Sequence, residues 1–139
     1  MFNLQDKHEI LIIDDYRDHL QLLSGLLHEQ GYRVRGASDS EMALKSIKAQ
    51  LPDLVLVDIK MPGMDGIELC HRLKLQENTE SIPVIFISVL SGFKDKARAF
   101  RAGGADFITK PFPKEELLAK VSTQLRLLDF IRVEQQQHH

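Results

Sequence analysis

The sequence holds a single cysteine, Cys70, so no internal disulfide can staple the chain and the fold must rest on its core. One unpaired thiol suits a reducing compartment, and the cytoplasm is the expected location. No apolar run approaches bilayer-spanning length. The first residues carry Asp6, Lys7 and Glu9 rather than the apolar stretch of a secretion signal. Neither sign of charge dominates. With 18 Lys and Arg against 20 Asp and Glu, the net charge is -2, and no bulk field draws the chain to nucleic acid or to an anionic membrane. No internal repeat or DNA-binding helix-turn-helix is visible, and 139 residues suit one domain.

What the sequence does have is four apolar runs that each end on a polar side chain. Ile10 to Ile13 leads into Asp14 and Asp15, Leu54 to Val57 into Asp58, Val84 to Ile87 into Ser88, and Phe107 to Thr109 into Lys110. Such runs read as parallel strands buried on both faces. Parallel strands joined by right-handed crossovers point the same way, so their C-terminal ends collect along one edge of the sheet. The polar residues therefore converge there, on the edge where open α/β sheets bind ligands.

Between the runs lie helical patterns. Leu20, Leu23, Leu26 and Leu27 recur at helical spacing and Gly31 supplies a stop; Arg33 to Ala37 reads as a short strand. Ser40 to Ile47 is a second helix ending before Pro52. The turn formers from Met61 to Gly66 lead into a third helix carrying Ile67, Cys70 and Leu73, with Cys70 in a packing role. Asp95 to Ala102 is a fourth helix ended by Gly103 and Gly104, Ala105 to Thr109 a fifth strand, and Lys114 to about Val133 the last helix. Five alternations predict an α/β fold with a doubly wound five-stranded parallel sheet and helices on both faces, since a barrel would need eight.

Three acids on one edge repel one another unless a cation offsets them. Carboxylate oxygens without accompanying His or Cys suit a hard ion such as Mg²⁺, with Mn²⁺ as an alternative, rather than Zn²⁺. Lys110 and such an ion together neutralise a tetrahedral dianion attached to one of the acids, and Ser88 can donate a hydrogen bond to it. That arrangement suits phosphoryl transfer to a carboxylate.

At this point the chain resembles the receiver domains of bacterial two-component response regulators. The resemblance rests on Asp14-Asp15, on Asp58 followed by Met61 to Gly66, on Ser88 closing the fourth strand, and on Lys110-Pro111-Phe112 closing the fifth. The spacings are 43 from Asp15 to Asp58, 30 on to Ser88 and 22 on to Lys110. It covers Lys7 to about Ile131, which implies a receiver domain over 7–131 and a tail over 132–139 that starts a linker or is a tag remnant.

The resemblance implies the flavodoxin-like strand order 2-1-3-4-5. It also implies a signalling switch rather than an enzyme, one that promotes only its own phosphorylation and dephosphorylation. Asp58 matches the phosphoacceptor, served by a histidine kinase, a phosphotransfer protein or a small phosphodonor. Asp15 and Asp58 match direct metal ligands, Asp14 one acting through water, and the Lys60 carbonyl completes the set. Lys110 matches the phosphoryl-contacting lysine, Ser88 the switch hydroxyl and Phe107 the aromatic switch. Lys110-Pro111 resembles the family's cis peptide. The output implied is a rearranged face around helix four, strand five and helix five. That face would act on an effector, a missing output domain or a second copy of the chain.

Some positions depart from the family. Val89 follows the switch hydroxyl where a smaller residue is usual, and Phe107 lacks a tyrosine hydroxyl, so an apolar switch seated by packing is expected. Lys60 and Leu90, two beyond the phosphoacceptor and the switch hydroxyl, offer no acid or amide to orient an attacking water, so slow hydrolysis is expected. Lys94, Lys96, Arg98 and Arg101 make the fourth helix basic, which reads as a solvated face. His8, His19, His28 and His71 lack ligand-like pairing and are expected in solvated positions; His138 and His139 read as the start of a tag. A phosphohydrolase would want an acid where Lys60 stands. A flavin phosphate would be opposed by Asp14 and Asp15. The remaining alternative is a receiver-like interaction module that is never phosphorylated.

Overall fold

A computed structural model describes residues 8–89 and 92–137; Lys7, Leu90, His138 and His139, all named above, lie outside the described residues. The elements are β1 (Glu9–Ile13), α1 (Arg17–His28), β2 (Arg33–Ala37), α2 (Ser40–Ala49), β3 (Leu54–Val57), α3 (Gly66–Lys74), β4 (Val84–Ser88), α4 (Phe93–Arg101), β5 (Asp106–Thr109) and α5 (Lys114–Gln137). All strand pairs are parallel, and the sheet order is β2-β1-β3-β4-β5. Both the doubly wound sheet and its expected order are therefore present.

The two-residue alternation of a strand divides each apolar run between two cores. Leu11, Ile13, Val55, Val57, Val84, Phe86 and Phe107 face one side and pack on Ala43 and Ile47 of α2, Leu69, Cys70 and Leu73 of α3, and Ala99 of α4. Their neighbours Ile10, Ile12, Leu54, Leu56, Ile85, Ile87 and Ile108 face the other. There they meet Leu23 and Leu27 of α1 and Leu117, Val121, Leu125 and Leu128 of α5. Each fully buried Leu or Ile contributes roughly 1.5–3 kcal/mol. A one-residue slip of register would exchange the two faces of a strand.

Local signals set the helix ends. Asp39 and Asp65 cap α2 and α3, each carboxylate accepting from the backbone N–H three residues on, at 2.8 Å. Gly31 takes φ 92°, the left-handed conformation that releases the chain from α1 into β2. Three boundaries differ from expectation. α4 starts at Phe93, two residues early, behind a Gly92 cap that has no side chain to announce it. β5 starts at Asp106, although Ala105 N–H already donates to Val84 O at 2.8 Å. α5 continues through Glu134 to Gln137, past the expected end near Val133, because neither Gly nor Pro interrupts these good helix formers.

Cys70 packs as expected. It is fully buried, its thiol donates to Ala102 O at 3.5 Å, and burial pushes its pKa up to about 11 against the opposing pull of Lys74. The α4 cations Lys94, Lys96, Arg98 and Arg101 are exposed, also as expected. Two histidines correct the reading. His28 and His71 are exposed, but His8 is buried, with Nε2 3.0 Å from Asp129 Oδ1 where the C-terminal half of α5 meets the entry to β1. His19 is the second, and it belongs to the site. No helix among the described residues is long and apolar enough to cross a membrane.

Candidate phosphoacceptor site

Each central residue of the site immediately follows or ends a strand, and the sheet ladder holds its backbone. Asp14 N–H donates to Ala37 O at 3.2 Å, Asp58 N–H to Ile13 O at 3.0 Å, and Lys110 N–H to Ser88 O at 2.9 Å. The last residues of neighbouring strands thus grip the first residues beyond them, and the side chains inherit the rigidity of the sheet. The Lys110–Pro111 peptide is cis.

The Lys110 ammonium sits at the centre. It donates to Asp14 Oδ2 at 3.1 Å and Asp58 Oδ2 at 3.1 Å, and lies 2.9 Å from His19 Nδ1. The side chains of Lys110, Asp58 and Asp14 are only 11%, 15% and 3% exposed, so these ion pairs are much less screened than surface ones. Asp14 Oδ1 accepts from Tyr16 N–H at 2.9 Å, which turns the chain into α1; Asp58 Oδ1 accepts from Lys60 N–H at 3.2 Å. Ser88 is fully buried at the end of β4.

Among the described residues, the metal-binding side chains whose donor atoms come within 4.8 Å of one another are Asp14, His19 and Asp58. The site therefore brings together Asp14, Asp58 and Lys110 as expected. Asp15 is exposed and stands outside that group. The two carboxylates can hold a metal ion and fit a hard one; the expectation that no histidine accompanies them is corrected, because His19 Nδ1 lies in the same group.

His19 is the residue that sequence reasoning missed. It lies four before Leu23 and seven before Leu26, which puts it, half-exposed, at the margin of the inner face of α1 in the turn nearest the strand ends. That spacing was available, but it was read only for the leucines. Its ring lies against Tyr16, with centroids 4.6 Å apart.

Two surroundings complete the site. Phe107 is buried one strand over and packs on Phe86 with ring centroids 6.4 Å apart, while Lys96 Nζ lies 5.7 Å above its ring. Lys120 of α5 donates to the Phe107 carbonyl at 2.9 Å and pairs with Asp106 and Glu116. On the α1 side, a groove of about 500 Å³ opens directly from His19 and Lys110, walled by Leu22, Leu26, Val89 and Phe112.

A family model described as the response regulator receiver domain matches residues 10–122, and the chain belongs to that family. Response regulator PleD of Caulobacter vibrioides is 38% identical over 117 residues, covering 84% of this chain and 26% of PleD. Transcriptional regulatory protein YrkP of Bacillus subtilis is 41% identical over 119 residues, 86% of this chain and 50% of YrkP. The chain thus spans half or less of these curated relatives. Among solved structures, the signal receiver domain of a signal transduction histidine kinase from Syntrophus aciditrophicus superposes with a TM-score of 0.81 at 36% identity, covering 86% of this chain and 90% of that one. Vibrio cholerae CheY4 gives 0.79 at 26% identity, over 84% and 97%.

Proposed function

We propose that this chain is a phosphorylation-controlled switch in which Asp58 accepts a phosphoryl group from a histidine kinase, a phosphotransfer protein or a small phosphodonor. The observation that carries the reading is the single ammonium of Lys110 bridging Asp14 and Asp58 at the mouth of the site. A carboxylate oxygen of Asp58 attacks phosphorus, the bond from phosphorus to the donor's nitrogen or oxygen breaks with its electron pair leaving on the donor, and an acyl phosphate remains. Lys110 is within reach of the new phosphoryl oxygens, and Ser88 offers a hydroxyl to them.

Asp15, Asp58 and the Lys60 carbonyl would hold Mg²⁺, or Mn²⁺ in its place, with Asp14 acting through water. When bound, such an ion supplies positive charge against the phosphoryl oxygens. The groove beside Lys110 suits the apolar surface of a protein donor delivering its phosphohistidine to this edge. The chain in this reading works in the cytoplasm and turns over nothing but its own phosphoryl group.

Output follows from a change of population. Ser88 drawn toward the phosphoryl group would favour repacking of Phe107, which shares its strand with the Lys120 contact and its ring face with Lys96. The α4-β5-α5 face would then act on an effector or output domain, or pair with a second copy through the exposed Phe93 and Phe100. Because Phe107 has no hydroxyl, its seat is set by packing. Slow loss of the phosphoryl group is part of the proposal, and Leu90→Glu is expected to speed the decay of the phosphorylated form several-fold. An unchanged lifetime would remove that element.

Intact-mass analysis after incubation with acetyl phosphate and Mg²⁺ tests the central claim. Wild type is expected to gain the mass of one phosphoryl group and Asp58→Ala none. No gain on the wild type, with its fold intact by circular dichroism, would leave the interaction module that is never phosphorylated.

A further inference from the structure

We propose that His19 is a positioning residue for Lys110: its Nδ1 takes the third ammonium proton and so fixes the direction in which the lysine points. An ammonium has three N–H bonds and no acceptor, and here it has three neighbours at hydrogen-bond distance, Asp14 Oδ2, Asp58 Oδ2 and His19 Nδ1, at 3.1, 3.1 and 2.9 Å. The lysine can only donate, so in this contact Nδ1 is the acceptor. The 3.2 Å approach of Nδ1 to Asp14 Oδ2 is then two acceptors converging on one shared cation.

The ring is held in that orientation from behind. Asp14 Oδ1 fixes the Tyr16 backbone at 2.9 Å, the Tyr16 ring lies against the imidazole, and His19 N–H donates to Tyr16 O at 3.1 Å in the first turn of α1. The same aspartate therefore holds the lysine with one oxygen and, through Tyr16, orients the histidine with the other. Without the imidazole, a long flexible side chain would be held by two carboxylates alone, one of which changes charge when Asp58 is phosphorylated. Its third proton would turn to water in the groove.

The inference rests on the reading of Lys110 given above, and its test separates the two. Three variants are compared: His19→Ala, His19→Asn, whose amide oxygen occupies the place of Nδ1, and His19→Gln, whose amide lies one bond further out. Nitrogen-15 NMR of the Lys110 ammonium in the unphosphorylated protein needs no phosphoryl transfer. Its protons are expected to exchange slowly in wild type and His19→Asn, and fast in His19→Ala and His19→Gln. Phosphorylation by acetyl phosphate is expected to slow about tenfold in His19→Ala, the loss of one hydrogen bond to a charged group, and to be restored by His19→Asn. Equal ammonium exchange in all four proteins overturns the inference, as does equal rescue by Asn and Gln. Distinct exchange with no phosphorylation of wild type would uphold it and sink the function proposed above.

Discussion

Lys110→Ala is expected to cost the protein about 3 kcal/mol, the scale on which a buried ion pair fails when one partner is removed. Asp14 decides the size of the effect. Its side chain is 3% exposed, so it recovers little water when the ammonium leaves, and Tyr16 N–H is the donor that stays with it. Asp58, at 15% exposure, loses its nearest cation in the same step and faces Asp14 unshielded. Thermal denaturation would read this as a fall of about 10 °C for a domain of this size. Millimolar Mg²⁺ is expected to return part of the loss, because a divalent ion offsets the same carboxylates and stabilises by mass action. Equal stability of wild type and Lys110→Ala without Mg²⁺ would show that the carboxylates do not depend on this ammonium. The description of Lys110 as their counter-ion would then be abandoned.

Gly66→Ala, at a residue with no chemistry of its own, is expected to damage both stability and phosphorylation. Gly66 opens α3, and its N–H donates to Ile59 O at 2.8 Å, folding the Met61 to Gly66 loop back against the end of β3. A methyl group there would overlap the Asp58 carbonyl oxygen and come within 3.0 Å of its carbonyl carbon and 3.1 Å of Val57 Cγ2. The obstacle is backbone, so the strand end or the helix start must shift. Overpacking of this kind costs about 1–3 kcal/mol. Since the displaced residue is the proposed phosphoacceptor, a shift of about 1 Å is expected to slow phosphorylation by acetyl phosphate roughly a hundredfold. Urea denaturation and the rate of mass gain measure the two effects. A variant matching wild type in both would mean that the close approach is not what seats Asp58.

The strands and their polar ends were legible because residues buried on both faces leave continuous apolar runs, and a run must stop where the chain leaves the sheet. The order of the strands was not. Right-handed crossovers make the sheet parallel but allow several orders, and 2-1-3-4-5 came from the family resemblance, carried by Asp14, Asp15, Asp58, Ser88 and Lys110 in sequence. The start of α4 was missed because Gly92 caps it without a side chain. His8 was misread because its partner, Asp129, is 121 residues away and meets it only when α5 crosses the sheet.

By itself, the sequence determined which residues stand at the carboxyl edge and that the strands ending there are buried on both faces. Both depend on local pattern, continuous apolar runs for the strands and a spacing of nearly four for the helices between them. Only the tertiary structure decided that one ammonium would be shared by Asp14, Asp58 and His19. A hydrogen bond forms over about 3 Å, and partners as much as 96 residues apart meet at that range only after register and helix rotation are set.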